Sequence, residues 1–113
     1  MASGSTATPK TQLSNGIAIE YKAYVRKFFA QGGGTLFIVA TCYYETGGFT
    51  ISLQQTQPGH LNLLETLPSG IHTDMVTYEV ASWTSNVNAD NIPGHVTIAD
   101  AHGSHRVAVK AWD

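Results

Sequence analysis

At 113 residues the chain has the length of one domain, and 42% hydrophobic residues allow a substantial core. Charged residues make up only 12%, against about 25% in an average soluble domain. A net charge of −2 with six Lys and Arg argues against nucleic acid as a partner. No apolar run approaches the roughly 18 residues of a membrane span, so a membrane is not an expected partner either.

The cysteine count and the N-terminal residues indicate the cellular compartment and the boundary of the folded domain. Cys42 is the only cysteine, so no intrachain disulfide can form, which fits a reducing compartment. The first residues lack the apolar stretch of a signal peptide, so a cytoplasmic location is expected, or a secreted one if the sequence is a mature form. Residues 1–15 are small and polar, and we predict a disordered tail there and a single domain over residues 16–113.

The first half of the domain predicts three strands. From Ile17 to Arg26 apolar and polar residues alternate, which indicates a strand, and a β-bulge is expected where the alternation breaks after Arg26. Residues 35–44 are apolar on both faces, as in a strand at the middle of a sheet. Residues 49–56 alternate cleanly, and the Gly-Gly turn before them predicts a hairpin with the preceding strand.

The second half of the domain predicts four more strands. A short strand begins at Leu61 after a Pro-Gly turn, and residues 75–84 alternate again. Residues 85–94 are rich in Asn and Asp and are expected to form the longest loop, the kind of segment that often carries function on a β scaffold. The last two strands, around Val96 and Val107, are joined by a tight His-Gly-Ser turn.

About seven short strands separated by Gly, Pro, Asn and Ser turns predict an all-β fold. Their spacing favours an antiparallel sandwich, immunoglobulin- or fibronectin-like in architecture. The disulfide and the core-Trp spacing of a true immunoglobulin domain are missing. A small β-barrel is the alternative architecture.

No segment carries a catalytic or cofactor signature, so we predict no catalytic residue and no cofactor. Cys42 lies in an apolar run with no cation beside it, which is typical of a buried structural thiol. Histidines near the C-terminus offer a weak metal site, because a dedicated zinc site has three or four ligands at recurring spacings. The metal candidates are His95, His102, His105 and Asp100.

The aromatic residues are too many for the core of so small a domain. If the face of residues 75–84 that carries Trp83 is outward, this ring is exposed beside residues 85–94, where an aromatic ring with amide and carboxylate groups could hold a sugar or a protein. The alternative is a Trp83 side chain packed under residues 85–94. The predicted binding residues are Trp83, Asn86, Asn88, Asp90, Asn91 and Tyr24.

Low charge, exposed aromatic residues and Thr-rich strands favour a non-enzymatic binding or assembly module that contacts protein partners or itself. A small carbohydrate-binding, lectin-like module is the alternative hypothesis. A metal-binding protein that uses the C-terminal histidines is a second alternative. Whether the chain is an enzyme is left open, with a non-enzymatic role favoured.

Overall fold

A computed structural model of the protein describes residues 11–28, 33–67 and 75–112. Strands make up most of the described chain, and the predicted all-β class is confirmed. The strands are β1 (Thr11–Leu13), β2 (Ile17–Phe28), β3 (Gly33–Tyr44), β4 (Thr50–Gln57), β5 (His60–Thr66), β6 (Thr77–Asn88), β7 (His95–Asp100) and β8 (Gly103–Ala111). A short 3-10 helix, Ala89–Asn91, follows β6.

The eight strands belong to one mixed sheet. Their order is β1-β5-β7-β8-β2-β3-β6, and β4 also pairs with β5. The pairs β2–β8 and β5–β7 are parallel, and the other pairs are antiparallel. The sheet curls until β4 lies beside β6, which gives a half-barrel. The predicted immunoglobulin-like antiparallel sandwich is not confirmed, because all described strands are connected in one sheet with two parallel pairs.

The hydrophobic core fills the concave side of the curled sheet. Every second residue of β3 faces this side and is buried, as expected for a strand between two neighbours. Burial of each Leu or Ile side chain contributes about 1.5–3 kcal/mol relative to exposure. The buried residues that form the core include Ala23, Leu36, Ile38, Ala40, Cys42, Tyr44, Leu53, Leu61, Leu63, Ala81, Val96 and Ile98.

Two local predictions are wrong. β3 does not pair with β4, because β2 and β6 occupy its two edges, and β4 pairs with β5 instead. The bulge of β2 lies at Ile19 rather than after Arg26. This extra residue changes the phase of the strand, so Ile17 lies on the outer face beside Tyr43, whereas Tyr21 packs against the core.

The predicted tail over residues 1–15 also differs from the structure. Residues 1–10 lie outside the described residues, but Thr11–Leu13 is strand β1, paired with β5. Ser14 is buried, and its backbone N–H donates to the Leu63 carbonyl at 2.9 Å while its own carbonyl accepts from Ala101. The β5 partners of this segment are more than forty positions away in sequence, which is why local patterns predict a tail there.

Gly34 lies where β3 passes close to the backbone of β2. A Cβ at this position would lie 2.7 Å from the Arg26 carbonyl oxygen. We expect Gly34→Ala to lower the free energy of unfolding by about 1–3 kcal/mol, because the two strands must separate to admit the methyl group. Urea unfolding followed by circular dichroism measures the change.

Gly94→Ala is the control, since a Cβ there meets nothing within 4 Å. Its effect should stay within about 0.5 kcal/mol. Equal stability of Gly34→Ala and the unmodified protein would contradict the close approach of β2 and β3.

Candidate functional site

The predicted binding residues are divided between the two faces of β6. Burial alternates along this strand, and its odd-numbered residues face the core. Trp83 is half-buried and packs against the core, whereas Asn86 and Asn88 point outward and are exposed. Trp83 is therefore not on the outward face that the sequence suggested. Alternation alone does not tell which face of a strand is buried, and Tyr78 is on the exposed side although it is more apolar than its neighbours.

The predicted loop over residues 85–94 is much shorter in the structure. β6 continues to Asn88, whose side-chain oxygen accepts a hydrogen bond from the Asp90 backbone N–H at 3.0 Å and caps the 3-10 helix. Asp90 is exposed, and Asn91 lines the same cavity as Trp83. Of the amide and carboxylate groups predicted around Trp83, only Asn91 lines the cavity that Trp83 lines.

A cavity of about 470 Å³ opens where β4 and β6 end and where β5 and β7 begin. We call it the mouth cavity. This volume falls within the range of about 300–1,000 Å³ that is typical of small-molecule sites. Its apolar walls are Leu36, Ile38, Leu61, Trp83, Val87 and Val96. Its polar rim includes Gln55, His60, Asn91, His95 and Arg106.

The metal candidates lie at opposite ends of β7. His95 is its first residue, at the mouth cavity, and Asp100 is its last, about 16 Å away at the usual strand rise. His105 Nε2 lies 2.9 Å from Asp100 Oδ2, but the His102 ring is 3.2 Å from the Asn15 carbonyl oxygen. Within the described residues no group of three or more His, Cys, Asp or Glu side chains could hold a metal ion.

Asp100 is the centre of a buried polar cluster. It is 4% exposed, and its two oxygens accept from the Tyr21 hydroxyl at 2.6 Å and from the His102 backbone N–H at 2.8 Å. Burial raises the pKa of Asp100, but the hydrogen bonds from Tyr21, His102 and His105 outweigh burial and hold this pKa below its ordinary value. The carboxylate is therefore ionised and already occupied by partners from β2 and β8.

Glu65 is the centre of a second buried polar cluster, where β1 pairs with β5. It is 2% exposed and accepts from Gln12 Nε2 at 2.8 Å, from the Asn15 backbone N–H at 2.6 Å and from the Tyr44 hydroxyl at 3.0 Å. The Ser14 hydroxyl lies 2.7 Å from the Tyr44 oxygen. Burial raises the pKa of Tyr44, so its phenol stays protonated and keeps donating to the carboxylate. Sequence reasoning missed this cluster because its members come from distant segments.

Cys42 lies on the core side of β3, near the two clusters. It is 0% exposed, and burial raises the pKa of its thiol more than the hydrogen bonds with Tyr21 and Ser14 lower it. A protonated and shielded thiol is a poor nucleophile. The prediction of a buried structural thiol is confirmed.

The outer face of β2, β3 and β6 exposes several large apolar side chains. Ile17, Tyr43 and Tyr78 are successive cross-strand neighbours, and the rings of the two tyrosines lie 6.1 Å apart. Tyr78 and Val80 are 66% and 63% exposed. The outer apolar patch, as we call it, comprises Ile17, Tyr43, Val76, Tyr78 and Val80.

A second aromatic group lies toward the other end of the same face. Trp112 packs edge-on against Phe37 at 5.0 Å and lies 6.3 Å from the Tyr24 ring. The Arg26 guanidinium lies over the indole, 5.9 Å from its centroid. Tyr24, the remaining predicted binding residue, is therefore half-buried under Trp112 and does not line the mouth cavity.

No protein-family model, no curated protein and no solved structure matches this chain. The described residues contain no helix that is long and apolar enough to cross a membrane. Function is therefore inferred from the mouth cavity, the buried polar clusters and the outer apolar patch.

We expect Asp100→Asn to lower the free energy of unfolding at pH 7 by about 1.5–3 kcal/mol, because an amide cannot replace a carboxylate that accepts charge-assisted hydrogen bonds. The pKa of Asp100 is lowered in the folded state, below the unfolded value of about 3.9. Its contribution is therefore present above that value and is lost as the pH falls through the folded pKa. The difference between the two proteins should shrink as the pH falls below the unfolded value.

Urea unfolding at pH 7 and at low pH measures this effect. Asp90→Asn is the control, because Asp90 is exposed and its change should stay within about 0.5 kcal/mol. A loss for Asp100→Asn that does not vary with pH would contradict the role of the ionised carboxylate.

Cys42 should resist modification in the folded protein, because no part of it is exposed. We expect Ellman's reagent to react with it only as fast as the protein unfolds. The measurement compares the reaction rate in buffer with the rate in denaturing urea. A fast stoichiometric reaction in buffer would contradict the burial of this thiol.

Proposed function

We propose that this protein is a non-enzymatic binding or assembly module that associates with itself through the outer apolar patch. The observation that carries this proposal is the exposure of Tyr78 and Val80, at 66% and 63%, on the outer face of β6, the last strand in the sheet order. Contiguous exposed apolar side chains of this size mark contact surfaces rather than ordinary solvated ones.

The charge pattern of β6 supports a contact surface. Its outward residues carry no charge, and its only charged residue, Glu79, lies on the core-facing side of the strand. Exposed strands of soluble proteins commonly carry Lys or Glu on their outer face, because charge prevents unwanted association. An uncharged outer face with two large apolar side chains lacks this protection.

A second copy of the chain fits this surface. In a two-fold contact the same residues meet each other, so an uncharged patch meets itself without like-charge repulsion. Across the outer face, Val80 is followed by Thr41 on β3 and then by Glu20 on β2, which pairs with Lys22 at 3.0 Å. The patch is thus bordered on the β2 side by a neutral ion pair. A different protein with an apolar face is the other partner that this proposal admits.

The two alternative functions remain proposals with less support. Trp83 and Asn91 line one cavity, which favours carbohydrate there over the exposed platform expected from the sequence. A metal-binding role would use His105 and Asp100, which lie 2.9 Å apart, and would need further ligands. A cytoplasmic location is also part of the proposal and is supported by the single buried thiol.

Light scattering coupled to size exclusion tests the proposal over a range of protein concentrations. We expect a dimer whose dissociation constant rises at least about 100-fold on Val80→Lys, because the change places like charges opposite each other in a desolvated contact. The loss should be partly reversed in an equimolar mixture of Val80→Lys and Val80→Glu, since opposite charges then meet.

Asn86→Lys is the matched control, because Asn86 is exposed on the same face of the same strand but outside the outer apolar patch. Its dissociation constant should change less than about threefold. A monomer at every concentration would overturn self-association. Equal effects of Val80→Lys and Asn86→Lys would place the contact elsewhere.

A further inference from the structure

Among the described residues that line the mouth cavity there is one permanent cation, at the rim, and no carboxylate. The cation is Arg106 on β8. The ion pairs between described side chains are Lys22–Glu20 and His105–Asp100, so Arg106 has no carboxylate partner within that part of the chain. The electrostatic character of this rim therefore favours an anionic group.

The geometry at the rim also holds the guanidinium in place. Arg106 Nη2 lies 3.3 Å from His95 Nδ1. A guanidinium has no acceptor, so Arg106 is the donor and the His95 nitrogen accepts. This contact uses one N–H of the guanidinium fork and leaves the others available, the arrangement that binds a planar carboxylate through two parallel hydrogen bonds.

Below the rim, the walls of the mouth cavity are apolar. Leu36, Val87 and the Trp83 indole lie there, and Trp83 is half-buried and packs against the core. An apolar body of a ligand would replace water against these side chains and gain about 25 cal/mol for each Å² that it buries. A wholly polar ligand would gain nothing from this part of the wall.

We propose that the mouth cavity binds a small amphipathic carboxylate, with its hydrocarbon part against Trp83 and Leu36 and its carboxylate on Arg106. The single permanent cation matches a monoanion and is too little for a phosphate monoester, which carries up to two charges. Gln55, His60 and Asn91 line the same cavity and supply further polar groups at its rim. This site does not depend on the outer apolar patch, which lies on the opposite face of the sheet.

Tryptophan fluorescence tests the proposal with octanoate as the probe. The chain has two tryptophans, so a Trp112→Phe background leaves Trp83 in the cavity wall as the only indole reporter. We expect a saturable change with a dissociation constant below about 1 mM. Octanol, which has the same chain without the charge, should bind at least about tenfold more weakly.

Arg106→Gln should weaken octanoate binding at least about tenfold and leave octanol binding unchanged, because only the carboxylate uses the guanidinium. Lys110→Gln is the matched control, since Lys110 is an exposed cation on the same strand that borders the groove between β2 and β8 and not the mouth cavity. Its octanoate affinity should change less than about twofold.

Ser85→Phe, which places a ring into the cavity, should abolish binding of both probes. Val80→Lys, which tests self-association, should leave octanoate binding intact, so the two proposals fail independently.

Three results would overturn this inference. The first is the absence of any saturable octanoate response in a variant with intact circular dichroism. The second is an equal loss in Arg106→Gln and Lys110→Gln, which would indicate bulk charge rather than a site. The third is a saturable response to methyl glucoside and not to octanoate, which would assign the cavity to a sugar.

Discussion

The structure depends on β3, which is hydrogen-bonded along both edges and separates the molecule into two sides. Ile38, Ala40 and Cys42 point to the concave side and are fully buried, so the sheet must curl around them to exclude water. The residues between them face outward and pack only against neighbours on the same face. The mouth cavity is the open end of the core on the concave side of the sheet. The outer apolar patch lies on the opposite, outer face of the sheet.

Two buried carboxylates connect strands that the hydrophobic core alone would not position. Asp100 joins β7 to Tyr21 of β2, and Glu65 joins β5 to the backbone after β1 and to Tyr44 of β3. Each carboxylate has several donors, which offsets the cost of taking its charge out of water. Buried carboxylates also occur in active sites, but the oxygens of Asp100 and Glu65 already accept hydrogen bonds from other residues of the fold. Their arrangement explains why a chain with few charges still keeps two of its acidic side chains inside.

Much of the secondary structure could be predicted from alternation and turns. Alternation predicts a strand for each of β2 to β8, and the Pro-Gly and His-Gly turns do join β4 to β5 and β7 to β8 through glycines with positive φ, Gly59 and Gly103. Strand pairing could not be predicted, because the parallel partners of β5 and β8 are distant in sequence. β1 was missed because three residues show no periodicity.

The candidate sites were predicted only in part for related reasons. Trp83 and Asn91 are predicted binding residues and do share the mouth cavity, but its apolar walls come from four different strands. The direction of Trp83 could not be read from β6, since Thr77 and Glu79 on the inner side are more polar than Tyr78 and Val80 on the outer side. His95 was considered only as a metal ligand, whereas its nitrogen holds Arg106 at the rim.

The parallel pairing of β2 with β8 has a consequence for biosynthesis. Ala23 pairs with Val109, so this sheet cannot be completed until the residues of β8 have left the ribosome. Until then β2 presents an unpaired edge and β3 an uncovered apolar surface, at a stage when other nascent chains are close by. Long-range pairing of this kind slows folding. The incomplete sheet is therefore exposed to association with neighbouring chains for the whole interval between the synthesis of β2 and the synthesis of β8.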